Sequence, residues 1–185
     1  MYNEDEVNKY IEKVDESRTT TFKPKSDKLK VGVDLGTAYI VLVVLDEDDN
    51  PIACEMQYAK VLKDGVVVDF TGAQDIVRKL KKKLEERLGV ELTHCAIAMP
   101  AGTESSVRTH QYVAEGAGLE VTNILDEPTA ANSVYKITDG VVVDVGGGTT
   151  GIAIFKNGEV IEIDDEPTGG THVSLVLAGN NHITF

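Results

Sequence analysis

Apolar positions follow two rhythms along the chain, and the switches between them divide it. Over residues 3–17, Val7, Tyr10, Ile11 and Val14 recur at the i, i+3, i+4, i+7 spacing of one helical face. Asn3 stands where an N-cap belongs, with Glu6 three residues on. The polar run "SRTTTFKPKSDK" (17–28) breaks that period and reads as a linker around Pro24. From Lys30 the pattern is extended, with strands near 30–36, 38–45 and 51–58 joined at an acidic turn over 46–50. "DGVVVDF" (64–70) adds a further extended piece. The helical rhythm returns with Ile76, Val77, Leu80, Leu84 and Leu88, with Thr71 as the expected cap and Gly89 at the expected C-terminus. The basic "RKLKKKLEER" is then the solvated face of that helix.

"HCAIAMP" (94–100) predicts a short buried strand ending at Pro100, followed by a helix near 103–116 and a strand near 120–125. Pro128 suits the first turn of the next helix and is expected to hold Glu127 extended at the junction before it. Three more strands are expected at 141–145, 150–155 and 159–163, the last two joined by the tight turn Asn157-Gly158. Residues 168–180 have helical character, with Thr171 as the expected cap.

Within this plan one device occurs twice. "VGVDLGTAYIVLVVLDEDDNPIA" (31–53) and "VVVDVGGGTTGIAIFKNGEV" (141–160) each run an apolar strand into an aspartate, a glycine turn and a further strand. A glycine run directly after a strand implies close backbone approach to something. One Asp-x-Gly turn is common in ordinary loops. Two copies, each closing a valine-rich strand and each opening a hairpin, call for a shared purpose.

Charge narrows that purpose. The 185 residues carry a formal net charge of −13, which argues against nucleic acid, whose binders neutralise phosphates with Lys and Arg. Any phosphate must be held mainly by backbone N–H groups and a metal. The Walker pattern GxxxxGK[ST] is absent. Gly146, Gly148 and Gly151 satisfy GxGxxG, but a hairpin follows them where the dinucleotide fingerprint requires a helix. There remains a pair of hairpins closing on one triphosphate from opposite sides, since amides in tight turns form anion-binding concavities. Asp34 and Asp144 would face Mg²⁺ between the turns, partly through water, and Thr37 and Thr149 would add hydroxyl and amide donors. Cys54 and Cys95 lie among apolar neighbours without CxxC spacing and read as buried thiols of a reducing cytoplasm. No apolar run approaches the roughly 20 residues needed to span a bilayer, and the acidic N-terminus does not resemble a signal peptide.

These residues carry a family resemblance. "VDLGTAYI" resembles the first phosphate loop of the actin, sugar-kinase and DnaK-type chaperone ATPase superfamily, and "VVDVGGGTTGIAIF" resembles the second. "AIAMPAGTESS" and "AGLEVTNILDEPTAA" resemble the segment that connects the lobes in the chaperones. With "DGVVVDF" and "TGGTHVSLVLAGN", the whole of 30–185 is most similar to the ethanolamine-utilisation J family. The resemblance implies an α/β, ribonuclease H-like actin-type ATPase fold, its first lobe complete and its second only partly present. Residues 1–29 would be an N-terminal helix and linker, 30–139 the first lobe, and 140–185 the start of the second.

By that resemblance Asp34 and Asp144 hold Mg²⁺ through water, while Gly36, Thr37, Gly146, Gly147, Gly148 and Thr149 cradle the phosphates of ATP or ADP. Glu127 orients the attacking water and completes the catalytic set with the two aspartates. Pro100 matches a proline implicated in lobe switching. No counterpart of the chaperones' phosphate-contacting lysine is placed, Lys60 and Lys63 being merely nearby. The glycine-rich adenosine motif is not found before Phe185, so nucleotide affinity is expected to be reduced and "VSLVL" to be exposed. The implied function is a chaperone-like Mg-ATP switch in ethanolamine utilisation, with ethanolamine ammonia-lyase or microcompartment components as clients. The expected location is the cytoplasm, in association with a microcompartment, without membrane or nucleic-acid partners. Two other readings stay open: a metabolite kinase, and a non-catalytic filament, adaptor or scaffold whose N-terminal helix docks on a partner.

Overall fold

Alternation along the strands sets out the first sheet. β1 (Lys30–Leu35), β2 (Tyr39–Leu45) and β3 (Pro51–Tyr58) form an antiparallel meander, in which Asp34 faces Val41 and Leu35 faces Ile40. β6 (His94–Met99) and β7 (Glu120–Asp126) add in parallel on the other side of β1, giving the order β3-β2-β1-β6-β7. Between them β4 (Leu62–Lys63) and β5 (Val66–Val67) make a small separate ribbon. Parallel neighbours need long crossovers, supplied by α2 (Phe70–Leu88) and α3 (Glu104–Gly116). The computed structural model describes residues 3–102 and 104–184; Thr103, where the sequence places the start of α3, lies outside them.

Both crossover helices cover one face of the sheet. Val31, Val33, Leu35, Ile40, Leu42 and Val44 pack there against Ala73, Val77, Leu80 and Leu84 of α2 and Val113 and Ala114 of α3. The alternate positions, Asp34 among them, therefore face the other way, toward α4 (Glu127–Tyr135). α4 packs in turn on a second, antiparallel sheet, β10-β9-β8, made of β8 (Gly140–Val145), β9 (Thr150–Lys156) and β10 (Glu159–Glu166). Its core is thin: Val142, Ala153 and Phe155 against Ala131, Tyr135 and Ile137. Val141, Val143, Val145 and Ile152, on the opposite face, are exposed. So are Val173, Leu175, Val176 and Leu177 of α5 (Gly170–Asn180), as expected for "VSLVL". Among the described residues no helix is long and apolar enough to cross a membrane.

Several boundaries differ from the sequence expectation, each for a local reason. α2 begins at Phe70, so Asp69 and not Thr71 is its cap; the Asp69 carboxylate accepts the Gly72 N–H at 2.9 Å. The extended piece at 64–70 shrinks to the β4–β5 ribbon, because that helix starts within it. Asp126 is the extended cap before α4 and accepts the Thr129 N–H at 2.8 Å. Glu127 is consequently the first helical residue, not an extended one. α5 is capped at Gly169, not Thr171, and the His172 ring accepts the Gly169 N–H. β10 continues to Glu166 because its register with β9 holds up to Thr150.

The polar run 17–28 does not hang free. Asn3 caps α1 (Glu4–Glu16) through the Glu6 N–H, and the segment after the helix straps the outer edge of β3. Cys54 N–H donates to Ser17 O at 3.0 Å and Phe22 N–H to Ile52 O at 2.9 Å. Arg87, expected on a solvated face, reaches over to donate to Ser17 O, Thr20 O and Cys54 O while pairing with Glu55. A covered edge of this kind cannot recruit another strand.

Candidate functional site

Strand ends bring the two aspartates together. Asp34 closes β1 on the α4-facing side of the first sheet, and Asp144 closes β8 on the α4-facing side of the second. Both line a cavity of about 400 Å³ between the lobes, with Glu127 at the head of α4 and Pro100 at the end of β6. Gly36, Thr37 and the turn Gly146–Thr149 complete it, so every residue singled out for the site is assembled in one place. Lys60 and Lys63 are exposed and do not line it.

The two glycine turns touch. A Cβ on Gly147 would lie 3.2 Å from that of Ala38, and one on Gly148 only 2.5 Å from Thr37 Oγ1. Bare backbone is thus required for the lobes to approach. Among the described residues, no backbone acceptor takes the N–H groups of Thr37, Ala38, Gly147 or Gly148. The carbonyls of the second turn are tied down from behind: Gly170 N–H donates to Gly146 O at 2.9 Å and Thr171 N–H to Gly147 O at 3.0 Å. The helix that follows β10 therefore fixes the orientation of the glycine turn. The Thr37 hydroxyl is partly engaged, since its Oγ1 accepts the Gly65 N–H at 3.4 Å.

Three carboxylates line this cleft, with Asp165 near them, and the surroundings raise the proton affinity of all four. Burial, and then the charge of Asp144, pushes Asp34 up to about 7. Burial raises Glu127 to about 8, assisted by Asp34, Asp144, Asp165 and Asp126 in that order. Asp144 is raised by burial. Asp165, also raised by burial first, was not a candidate from sequence. The register Asp144↔Gly151↔Asp165 puts it on the same face of the second sheet. Only that register could have revealed it, because the acidic "EIDDE" shows no periodic signal.

One oxygen of Asp34 and one of Asp165 are buried without a hydrogen-bond partner. Unpaired buried carboxylate oxygens are costly unless a cation or proton meets them. Among the described residues no three His, Cys, Asp or Glu groups converge to ligate an ion directly. The site accordingly fits a magnesium ion held largely through its own water, and a polyanion held by free turn amides.

The sequence comparisons bear on this arrangement. The family profile described as MreB/Mbl protein matches residues 53–177. The chain belongs to the MreB/Mbl family. It is 47% identical over 157 residues to the ethanolamine utilization protein EutJ of Escherichia coli K12, a match covering 85% of this chain and 56% of that one. With EutJ of Salmonella typhimurium the identity is 48% over 155 residues, covering 84% and 55%. The chain thus spans a little over half the length of these curated relatives. The crystal structure of EutJ from Carboxydothermus hydrogenoformans superposes with a TM-score of 0.89 at 46% identity, over 97% of this chain and 67% of that one. MreB5 of Spiroplasma citri, solved bound to ADP, has the same fold at 22% identity, with a TM-score of 0.65 over 86% of this chain and 59% of its own. This member of the MreB/Mbl family is therefore an EutJ homologue with the α/β fold of the actin-type ATPases.

Proposed function

We propose that this chain binds Mg-ATP between its lobes and uses nucleotide state as a switch, acting as a chaperone-like accessory protein of ethanolamine utilisation. The observation that carries the reading is Asp34, whose buried, unpartnered oxygen sits in a cleft shared with Asp144 and two bare glycine turns. The names of the EutJ relatives support the metabolic setting, and the ADP and AMPPNP complexes of MreB5 support the ligand. Bound Mg-ATP would supply the phosphoryl group and the positive charge that the carboxylates lack.

Position supports a role for each residue. Asp34 and Asp144 would hold the ion, partly through water. Gly36, Thr37, Gly146, Gly147, Gly148 and Thr149 offer backbone N–H groups and close approach to the phosphates. Glu127 orients water, and with the cleft charge offset it is free to accept a proton. Ethanolamine ammonia-lyase is the client we assign, in assembly or reactivation, with microcompartment components as further partners in the cytoplasm. Titration calorimetry with Mg-ATP and Mg-ADP tests binding, and an Asp34→Ala, Asp144→Ala double variant should abolish it. Glu127→Gln should keep binding and lose turnover; undiminished turnover would remove Glu127 from the catalytic set.

A second reading draws on the bare valines of β8 and the apolar α5. A scaffold or filament would cover these surfaces with a partner, and polymers forming without nucleotide would select it. Turnover that appears only with a small acceptor would instead mark a metabolite kinase.

A further inference from the structure

The segment "LKDGVV" forms the β4–β5 ribbon, and its two-residue turn lies between the lobes. Asp64 (φ 50) and Gly65 (φ 75) take the paired left-handed conformations of a tight hairpin turn, so the tip is fixed in shape. Gly65 is buried, and its N–H donates to Thr37 of the first glycine turn. A Cβ at Gly65 would lie 3.0 Å from Pro100 Cγ and 3.3 Å from Thr149 Cγ2, so the tip also reaches the second turn. Next to it the Asp64 carboxylate lies 3.7 Å from His172 Nε2, on α5 of the second lobe.

The ring is set for this contact. His172 Nδ1 accepts the Gly169 N–H at 3.1 Å, so a neutral ring carries its proton on Nε2, the atom nearest Asp64. The same Gly169–Thr171 segment holds the carbonyls of Gly146 and Gly147. A continuous path therefore runs from Asp64 in the first lobe through His172 to the second glycine turn.

We propose that Asp64 and His172 form a cross-lobe latch that keeps the two glycine turns together and slows release of a bound nucleoside triphosphate. The release rests on the function proposed above; the latch between the lobes does not. With Nδ1 accepting the Gly169 N–H, Nε2 meets the carboxylate as an uncharged N–H donor at 3.7 Å. Both side chains are about one-third exposed, so the effect of breaking the contact is about twofold.

Hydrogen–deuterium exchange of the free chain reads the latch directly. Asp64→Ala should speed exchange at residues 169–172, in the other lobe, and His172→Ala should do so at 64–66. The double variant should exceed neither single variant by much, and the swap Asp64→His with His172→Asp should restore slow exchange. Changes confined to the mutated lobe, or additive in the double variant, would overturn the latch. Stopped-flow release of N-methylanthraniloyl-ATP with Mg²⁺ reads the consequence: about twofold faster from each single variant, slow again in the swap. Unchanged release would overturn the role in retention. If the unmodified chain fails to bind the analogue, the nucleotide reading falls while the exchange data still decide the latch.

Discussion

Replacing Gly169 by alanine isolates how the second glycine turn is held. Its backbone, at φ −135 and ψ −165, is extended and open to any residue, so only space is at stake. A Cβ there would lie 2.6 Å from Gly146 O, 2.8 Å from Gly147 C and 2.9 Å from Gly147 O. All three are backbone atoms of the turn, and no side chain can swing aside. Relief requires the turn and α5 to separate, which weakens the bonds from Gly170 and Thr171 at about 1 kcal/mol each. Overpacking by one methyl group adds about 1–3 kcal/mol. A total of about 3–5 kcal/mol would lower Tm by about 6–20 °C in a chain of this size. Mg-ATP affinity should fall with it, since the displaced amides are those assigned to the phosphates. Gly179→Ala, in the same helix with nothing within 4 Å of the new methyl, is the control and should be neutral or stabilising by up to about 1 kcal/mol. Circular-dichroism melts and calorimetric titration of both variants check this. Equal Tm and equal titration for the pair would refute the idea that α5 supports the turn.

The acidic cleft makes stability depend on pH. Asp34 and Glu127, pushed up to about 7 and about 8, hold protons in the folded chain that the unfolded chain has already released. Their contribution is therefore complete below the ordinary carboxylate range of about 4 and is lost as pH rises through 7 and 8. Tm should fall between pH 5.5 and 8.5 and recover on adding Mg-ATP; a flat profile would contradict it. Asp34→Asn should flatten that decline, raise Tm at pH 8.5 by removing a buried charge, and weaken Mg-nucleotide binding in titration. Arg87→Ala removes charged hydrogen bonds to Ser17 O, Thr20 O and Cys54 O, at a loss of about 2–3 kcal/mol. Limited trypsin digestion should then cut at Arg18 or Lys25 sooner than in the unmodified chain.

What the sequence made legible was what local pattern encodes. The stripe Val77, Leu80 and Leu84 is fully buried as its spacing requires, and Asp34 and Asp144 meet because each ends a strand before a glycine turn. The strap over 17–22 was not legible, because backbone bonds and one distant arginine hold it and neither leaves a periodic trace. Asp69 and Thr71 are both capping residues, and only the position where the backbone leaves the extended region decides between them. Asp165 needed the register of β9 with β10. The approach of Asp64 to His172 needed the lobes themselves, since nothing in either motif alone refers to the other.

Two opposing requirements meet at Gly147 and Gly148. Any side chain at either position would hold the glycine turns apart, so the glycines favour closure whether or not phosphate is present. The carboxylates oppose closure, since burial and then the charge of Asp144 raise Asp34, and burial and then both aspartates raise Glu127 across the same gap. A ligand shifts such a balance only by the difference in its affinity for the two arrangements. On the proposed reading Mg-ATP has that difference built in, because its cation offsets the carboxylates and its phosphates meet free amides only where both turns converge. A cation without phosphates would relieve the repulsion and leave the amides unused. Polyphosphate without the cation would add negative charge to a cleft that already rejects it. Neither half of the ligand should close the lobes as the pair does, and the latch at Asp64 and His172 would hold whatever closure the pair achieves.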